Sequence, residues 1–379
     1  MPQFPLKCIF FDLDGENGVF TLNTRRRGYP GMADQTPPKE ISKLELDSPR
    51  VEITYAEAFA TVSSILTGCG CDDDVAAEVA NHLIDSNLSG VESHGIMRVL
   101  QYAQQFESGY MDPKGRAGIT TIDAMFNAVD GGGGIGIPAM RLAFEKAFEE
   151  TRQKGITCLP VRNVGHTGRH GAFAEAAAQQ GMLTFLIGGG NRQTWRQVAP
   201  HGGSKAMLPT NPWCVGIPGG GRGPVVLDFA TSKIAGGWIY AAQSAGALLP
   251  EGCIIDRHGH PSRAPQDYFD GGAILPSGEH KGYALALMGE LIGEAMLGPV
   301  SRECNWLLIA IDTSRFNAPA EMQRIAEDIL AEMRDCPPAP GFDRVHIPGE
   351  RESAYRQVAN GVIALPEATW DQITALGSD

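Results

Sequence analysis

Apolar positions recur at helical spacing from Tyr55 onward, and the run Tyr55-Ala56-Glu57-Ala58-Phe59-Ala60 opens directly behind Thr54, a side chain suited to capping a first turn. Gly68-Cys69-Gly70 stops this helix. Asp72, Asp73 and Asp74 then stand at the start of a second helix, where the helix dipole favours negative charge, and that helix is predicted to reach about Leu88. A third is predicted from near Glu92 to Ser108-Gly109, with Pro113 beyond it. From about residue 119 the pattern changes to strand, loop and helix in alternation. Phe126 to Asp130 reads as a strand, feeding the glycines of Gly131 to Gly136 and then a helix from Pro138 to about Lys154. Ile156 to Val161, Leu183 to Ile187, Val225 to Asp228 and Trp306 to Ile311 read as further strands. Helices are predicted over Gly171 to Gln180, over the small-residue-rich Gly282 to Leu297, which suits close packing, and over the amphipathic Ala320 to Arg334. No repeat of solenoid period is visible. The expected class is α/β, with α+β mixing, preceded by a small helical unit.

Composition narrows the function. A chain of 379 residues is long enough for two domains or one large one with an ample core. Its 31 Lys and Arg against 44 Asp and Glu give a net charge of −13 with no basic block, a poor match to nucleic acid or an anionic membrane. No apolar run approaches the roughly 18 residues of a membrane span. The first residues lack the basic, apolar, small order of a secretory signal, so a cytoplasmic location is expected. The 8 cysteines are scattered, and Cys69 and Cys71, the only close pair, lack further ligands at zinc spacing. Reduced thiols and no metal site are expected.

Residues 1–50 differ from the rest and read as a poorly ordered extension, with a linker over 34–50. Within them, Ile9-Phe10-Phe11-Asp12-Leu13-Asp14-Gly15 resembles the first motif of haloacid-dehalogenase-type phosphatases. Glu16 stands where that motif usually has Thr, and the short segment leaves no room for that fold. An extension is the better reading.

Several polar constellations interrupt the apolar pattern. Gly131-Gly132-Gly133-Gly134-Ile135-Gly136 satisfies GxGxxG between a strand and a helix, but any glycine-rich run does, and the acidic residue expected about 20 positions on is missing. Glu92-Ser93-His94-Gly95-Ile96-Met97-Arg98 is more specific. On one helix, His94 and Arg98 would share a face. An imidazole beside a guanidinium suits a carboxylate substrate with a reacting carbonyl next to it: Arg grips the carboxylate and His moves the proton. Asn163-Val164-Gly165-His166-Thr167-Gly168-Arg169-His170-Gly171 follows a strand and opens a helix, either as an active-site loop or as a structural turn. Asp228 either orients an imidazole or caps a helix.

Taken in order, seven blocks resemble the malate/L-lactate dehydrogenase family that is unrelated to the Rossmann-fold lactate dehydrogenases. They are Ser93-His94-Gly95 with Arg98, Tyr102 and Gly109; Gly165-His166 with Gly168 and Gly171; Thr210-Asn211-Pro212; Asp228 with Ala230-Thr231-Ser232; Gly246-Ala247-Leu248-Leu249-Pro250; His280-Lys281-Gly282-Tyr283; and Pro348-Gly349-Glu350-Arg351-Glu352. The resemblance covers about residues 52–366.

The resemblance implies a hydride transfer between NAD or NADP and C2 of a 2-hydroxy or 2-oxo acid, or, alternatively, reduction of a cyclic imine carboxylate. It implies that His94 is the acid–base, with Ser93 and Asp228 as its relay. Arg98 would bind the substrate carboxylate beside Thr210; Arg169, a departure from the family, is read as a further substrate contact. His166 would sit by cofactor and substrate, and in some members it is credited with the proton transfer. Gly168, Asn191, Thr210, Asn211, Pro212, Val215, Gly216, Lys281, Gly349, Glu350 and Arg351 would contact the dinucleotide. The implied fold is a helical domain over 51–115 and 278–338 beside a non-classical NAD(P)-binding α+β domain over 116–277 and 339–379, usually as a homodimer. The chain departs from the family at Pro209, where Gly is usual, and at Thr167, Arg169 and His170; Trp195 and Trp213 flank the cofactor blocks. These suit a larger or more anionic substrate, and Arg192 or Arg196 is placed to meet a 2′-phosphate. A non-catalytic binding protein on the same scaffold is the competing reading, and the intact Ser93, His94, Arg98 and Asp228 weigh against it.

Overall fold

The computed structural model describes residues 49–123 and 126–377. The Asp12–Asp14 motif lies outside them. Of the expected extension only its end is described, and that end is a strand: β1 (Arg50–Thr54) pairs antiparallel with a strand near the C-terminus, Arg50 facing Pro366. Thr54 closes β1 and caps α1 (Tyr55–Gly68), its hydroxyl accepting from Glu57 N at 3.2 Å. α2 (Asp73–Leu88) carries Asp73 and Asp74 in its first turn and buries Ala76, Val79, Ala80, Leu83 and Ile84. Its second half also buries His82, Ser86 and Asn87.

The single helix expected from Glu92 to Gly109 is broken. A 3-10 turn spans Glu92–His94, and α3 (Arg98–Glu107) begins only at Arg98. The buried Asn87 side chain makes the break. Its Oδ1 accepts from Ile96 N at 2.7 Å, a donor the helix would otherwise use, and a Cβ on Gly95 would stand 2.1 Å from that oxygen.

The remaining chain runs β2 (Gly118–Thr121), β3 (Asn127–Asp130), α4 (Gly136–Lys154), β4 (Ile156–Val164), α5 (His170–Gln179), β5 (Met182–Gly189), β6 (Trp213–Ile217), β7 (Val225–Phe229) and α6 (Gly236–Ala245). It continues with β8 (Ile254–Ile255), β9 (Pro261–Ser262), α7 (Pro265–Phe269), β10 (Ala273–Ile274), α8 (His280–Glu290) running into a π turn (Leu291–Met296), β11 (Cys304–Asp312), α9 (Pro319–Arg334), α10 (Glu350–Ala359), β12 (Val362–Pro366) and α11 (Glu367–Leu376). Seven strands form one sheet in the order β2-β3-β4-β11-β5-β6-β7. Only β3 and β4 pair parallel; every other neighbouring pair is antiparallel. α4 packs on β4 and β11, and α5 on β5, β6 and β7.

Two expected groupings change. β11 falls inside the 278–338 stretch expected in the helical unit, yet it is the middle strand of the sheet, buried along nearly its whole length. The C-terminal residues expected in the α+β domain pack instead on the N-terminal helices: β12 pairs with β1, α11 packs on α1 and α3, and α10 on α2. The reason is that pairing across the full chain length leaves no local pattern to read. The small-residue helix does pack closely: a Cβ on Gly189 of β5 would stand 2.2 Å from Gly289 O of α8. Among the described residues no helix is long and apolar enough to cross a membrane.

Candidate active site

The turn at Glu92–His94 and the first turn of α3 meet the loop between β4 and α5. Ser93 Oγ lies 3.1 Å from His94 Nδ1. Arg98 is anchored from behind, its Nε donating to Ser93 O at 2.6 Å and its Nη1 to Gln101. The His94 and His166 rings stand 5.3 Å apart between centroids. Tyr102, one turn along α3 from Arg98, places its hydroxyl 2.7 Å from His166 Nδ1. Ser93, His94, Arg98, Tyr102 and His166 therefore form one cluster. His94 and Arg98 belong to it although no common helix carries them.

The glycine run of 131–136 supports this cluster and does not read as a phosphate loop. Its amides are already used: Gly131 N donates to Arg162 O, Gly132 N to Asp130 Oδ1, Gly133 N to Asn163 O, Gly134 N to Gly131 O and Gly136 N to His166 O. Gly165 N in turn donates to Gly134 O at 2.8 Å. Two backbone bonds thus clamp Gly165-His166 to the start of α4.

Burial sets the charge state. Burial, followed by the positive charge of Arg98, holds both His94 and His166 well below the ordinary histidine pKa. His170 is lowered by burial against the opposing pull of Asp228, and His82 is pushed down to about 3 by burial. All four imidazoles are neutral at pH 7. Burial raises the Tyr102 hydroxyl, so it stays protonated beside His166.

Other expected members have different partners. Asp228 is exposed and accepts from Gly171 N at 2.6 Å, at the start of α5, while the His94 Nδ1 partner is Ser93 Oγ. β7, which carries Asp228, is the edge strand of the sheet. Arg169 is 5% exposed and its Nη2 pairs with Asp85 Oδ2 at 2.7 Å, which locks the loop onto α2. Arg356 joins the same carboxylate at 3.2 Å and Glu175 at 2.8 Å. Arg169 N also donates to His82 Nε2 at 2.9 Å. Gly168 is required here: its φ is +74°, and a Cβ would stand 2.3 Å from that same His82 nitrogen. His170 packs against Trp306, 4.4 Å between centroids, and accepts or donates at Thr167 Oγ1 over 2.7 Å.

The residues expected at the dinucleotide fall into two groups. Around β5 and α8, Thr210 O accepts from Thr231 N and Oγ1 at 2.9 and 2.8 Å, Asn211 Nδ2 donates to Ala286 O and Glu290 Oε1, and Pro212 O accepts from Gly188 N. Asn191 Nδ2 donates to Arg302 O at 2.8 Å. Val215 and Gly216 lie within β6, where a Cβ on Gly216 would be 2.7 Å from Ala174 O, so this glycine serves the approach of α5. The second group is at α10: Gly349, φ +96°, begins the helix, Glu350 accepts from Arg334 Nε at 2.9 Å, and Arg351 lies over the Tyr355 ring. The pairing of Gly216 with Val226, whose N donates to Pro348 O at 3.2 Å, links the groups. Lys281 is exposed in the first turn of α8. Arg192 pairs with Glu294 at 3.0 Å, and Arg196 Nε donates to Arg192 O. Buried Asn211 Oδ1 has no partner among the described residues, and such an acceptor fits the amide NH2 of a nicotinamide. The donor set therefore suits the cofactor.

Sequence reasoning gave no role to Tyr102, although its spacing from Arg98 was visible, and passed over His82, Asp85 and Glu303. Nothing in the local pattern marks Glu303. Its N donates to Val164 O at 3.1 Å, just before the Gly165-His166 corner.

Two neutral imidazoles around an anchored guanidinium are the groups that proton transfer on a small carboxylic acid calls for. The comparisons give that class its family. The malate/L-lactate dehydrogenase profile matches residues 53–374. The chain is similar to the L-lactate dehydrogenase of Cupriavidus necator, 32% identical over 343 residues, covering 86% of this chain and 97% of the relative. It is 32% identical to the Delta(1)-pyrroline-2-carboxylate/Delta(1)-piperideine-2-carboxylate reductase of Pseudomonas putida, covering 82% and 92%. Its fold matches the solved sulfolactate dehydrogenase of Methanocaldococcus jannaschii with a TM-score of 0.76 at 28% identity, covering 86% and 97%. The chain belongs to the malate/L-lactate dehydrogenase family, whose dehydrogenases depend on a nicotinamide cofactor.

Proposed function

We propose that this chain transfers a hydride between NAD or NADP and C2 of a 2-hydroxy or 2-oxo carboxylic acid, with the proton handled at the His94–His166 pair. The observation that carries this reading is the anchored Arg98 beside two neutral imidazoles. When bound, the nicotinamide supplies or accepts the hydride. Arg98 holds the substrate carboxylate, and its anchoring through Ser93 O fixes where that carboxylate sits. His94 Nε2 moves the proton at the C2 oxygen, while Ser93 Oγ at Nδ1 fixes its ring. Tyr102 does the same for His166. Arg98 is the second cause that lowers His94. A carboxylate bound to Arg98 cancels that effect, so substrate binding raises the proton affinity of His94 just when the acid is needed. For oxidation the free imidazole is already the base.

Arg98→Ala is expected to raise KM for a 2-oxo acid by about 10²-fold or more, with cofactor affinity nearly unchanged. Steady-state kinetics and nucleotide fluorescence check it; a weakened cofactor with unchanged KM would move the carboxylate site elsewhere. Reduction of a cyclic imine carboxylate is the second reading, supported by the similarity to the Pseudomonas reductase, and the same residues then serve a C2 nitrogen.

We further read the chain as a cytoplasmic homodimer. Leu287 and Met288 of α8 and Leu291 and Met296 of the π turn that follows are exposed apolar side chains, Met296 at 59%. Light scattering is expected to give twice the chain mass of 40.5 kDa; a single-chain mass would refute the dimer.

A further inference from the structure

Glu303 is a carboxylate beside this cluster that the chemistry above does not use. Its backbone bond to Val164 O and the facing of Cys304 to Val164 set it against the corner that carries His166. Arg98, Tyr102, Tyr110 and Cys304 all lie within its electrostatic reach. The positive charge of Arg98 acts on it, while the hydrogen bonds of that guanidinium go to Ser93 O and Gln101. Its Oε2 is buried and has no hydrogen-bond partner among the described residues. The neighbouring Arg302 is turned to the glycine run, its Nη2 3.3 Å from where Gly133 would carry a Cβ. A buried acceptor left open in a substrate pocket costs free energy unless a ligand fills it.

We propose that Glu303 sets substrate choice: its open carboxylate oxygen accepts from a hydroxyl or protonated nitrogen on the substrate and turns away substrates with a second anionic group. This rests on the reading of Arg98 as the carboxylate anchor. The class it selects is a monocarboxylic 2-oxo or 2-imino acid bearing a hydrogen-bond donor near C2. A dicarboxylic oxo acid needs a second cation, and the pocket offers a second anion in its place. Burial raises Glu303 up to about 7, and Arg98 opposes the rise, so near neutral pH the group is available in both protonation states and accepts a donor best when ionised.

The test compares pyruvate, hydroxypyruvate, oxaloacetate and Δ1-piperideine-2-carboxylate with NADH and NADPH, in wild type, Glu303→Gln and Glu303→Leu. Wild type is expected to favour hydroxypyruvate or the imine over pyruvate, and pyruvate over oxaloacetate. In Glu303→Gln the ratio of oxaloacetate to pyruvate kcat/KM is expected to rise about 10-fold, the effect of removing one like charge. In Glu303→Leu the preference for hydroxypyruvate over pyruvate is expected to disappear. A purely structural role would lower all substrates together and leave these ratios in place, and that result overturns the proposal. So does a wild type that prefers oxaloacetate. Wild-type turnover of pyruvate with unmoved ratios sinks the role of Glu303 alone; no turnover of any of the four sinks the functional reading with it.

Discussion

His94→Ala is expected to lower kcat for reduction by about 10²–10⁴, the usual worth of a positioned general acid–base. Its sign with pH is fixed by its environment. Burial and Arg98 keep the free imidazole deprotonated, and reduction needs it protonated. The rate of reduction therefore falls as pH rises, and the rate of oxidation rises with it. Pre-steady-state turnover in both directions checks this. A variant within about threefold of wild type would transfer the role to His166, which shares the site and the same direction of pKa shift.

Asp85→Ala is expected to cost about 3 kcal/mol of stability, the lower end of the range for breaking a buried ion pair. Burial opposes ionisation of Asp85, but Arg356 and Arg169 outweigh it and hold its pKa well below the ordinary carboxylate range. Removing the carboxylate leaves the Arg169 guanidinium buried without its counterion. That cost exceeds what an exposed pair supplies. Arg116 with Asp72 and Asp74 is such a surface pair, and breaking it in Arg116→Ala is expected to cost far less. Urea unfolding of Asp85→Ala and Arg116→Ala side by side measures the contrast, and equal losses would contradict it. Asp85→Ala should also loosen the His166 loop, because Arg169 carries both the ion pair and the backbone bond to His82.

Much of the fold was legible because its signals were local. The Thr54 cap, the acidic start of α2 and the apolar runs of β4, β5 and β11 all lie within a few residues of what they determine. What was not legible depends on distant partners. The break before Arg98 is made by Asn87, a side chain from the preceding helix that takes the Ile96 amide. The place of β11 is fixed by neighbours more than a hundred residues away in sequence. The two-residue strands β8, β9 and β10 are too short to show any alternation.

The candidate site divides in the same way. His94, Arg98 and His166 could be chosen by residue type and spacing, and the structure brings them together. Asp228 and Arg169 carry charges that fit a reaction equally well on paper. In three dimensions one caps α5 and the other is held by Asp85. Glu303 comes beside the Gly165-His166 corner only because the middle strand of the sheet starts there.

The most direct test of the account is the loss of reduced-nicotinamide absorbance when the full chain meets NADH or NADPH with a panel of 2-oxo acids and cyclic imine carboxylates. The account predicts oxidation with at least one of them, abolished in Arg98→Ala and His94→Ala. No oxidation with any substrate, together with no binding of either nucleotide by fluorescence, would contradict it.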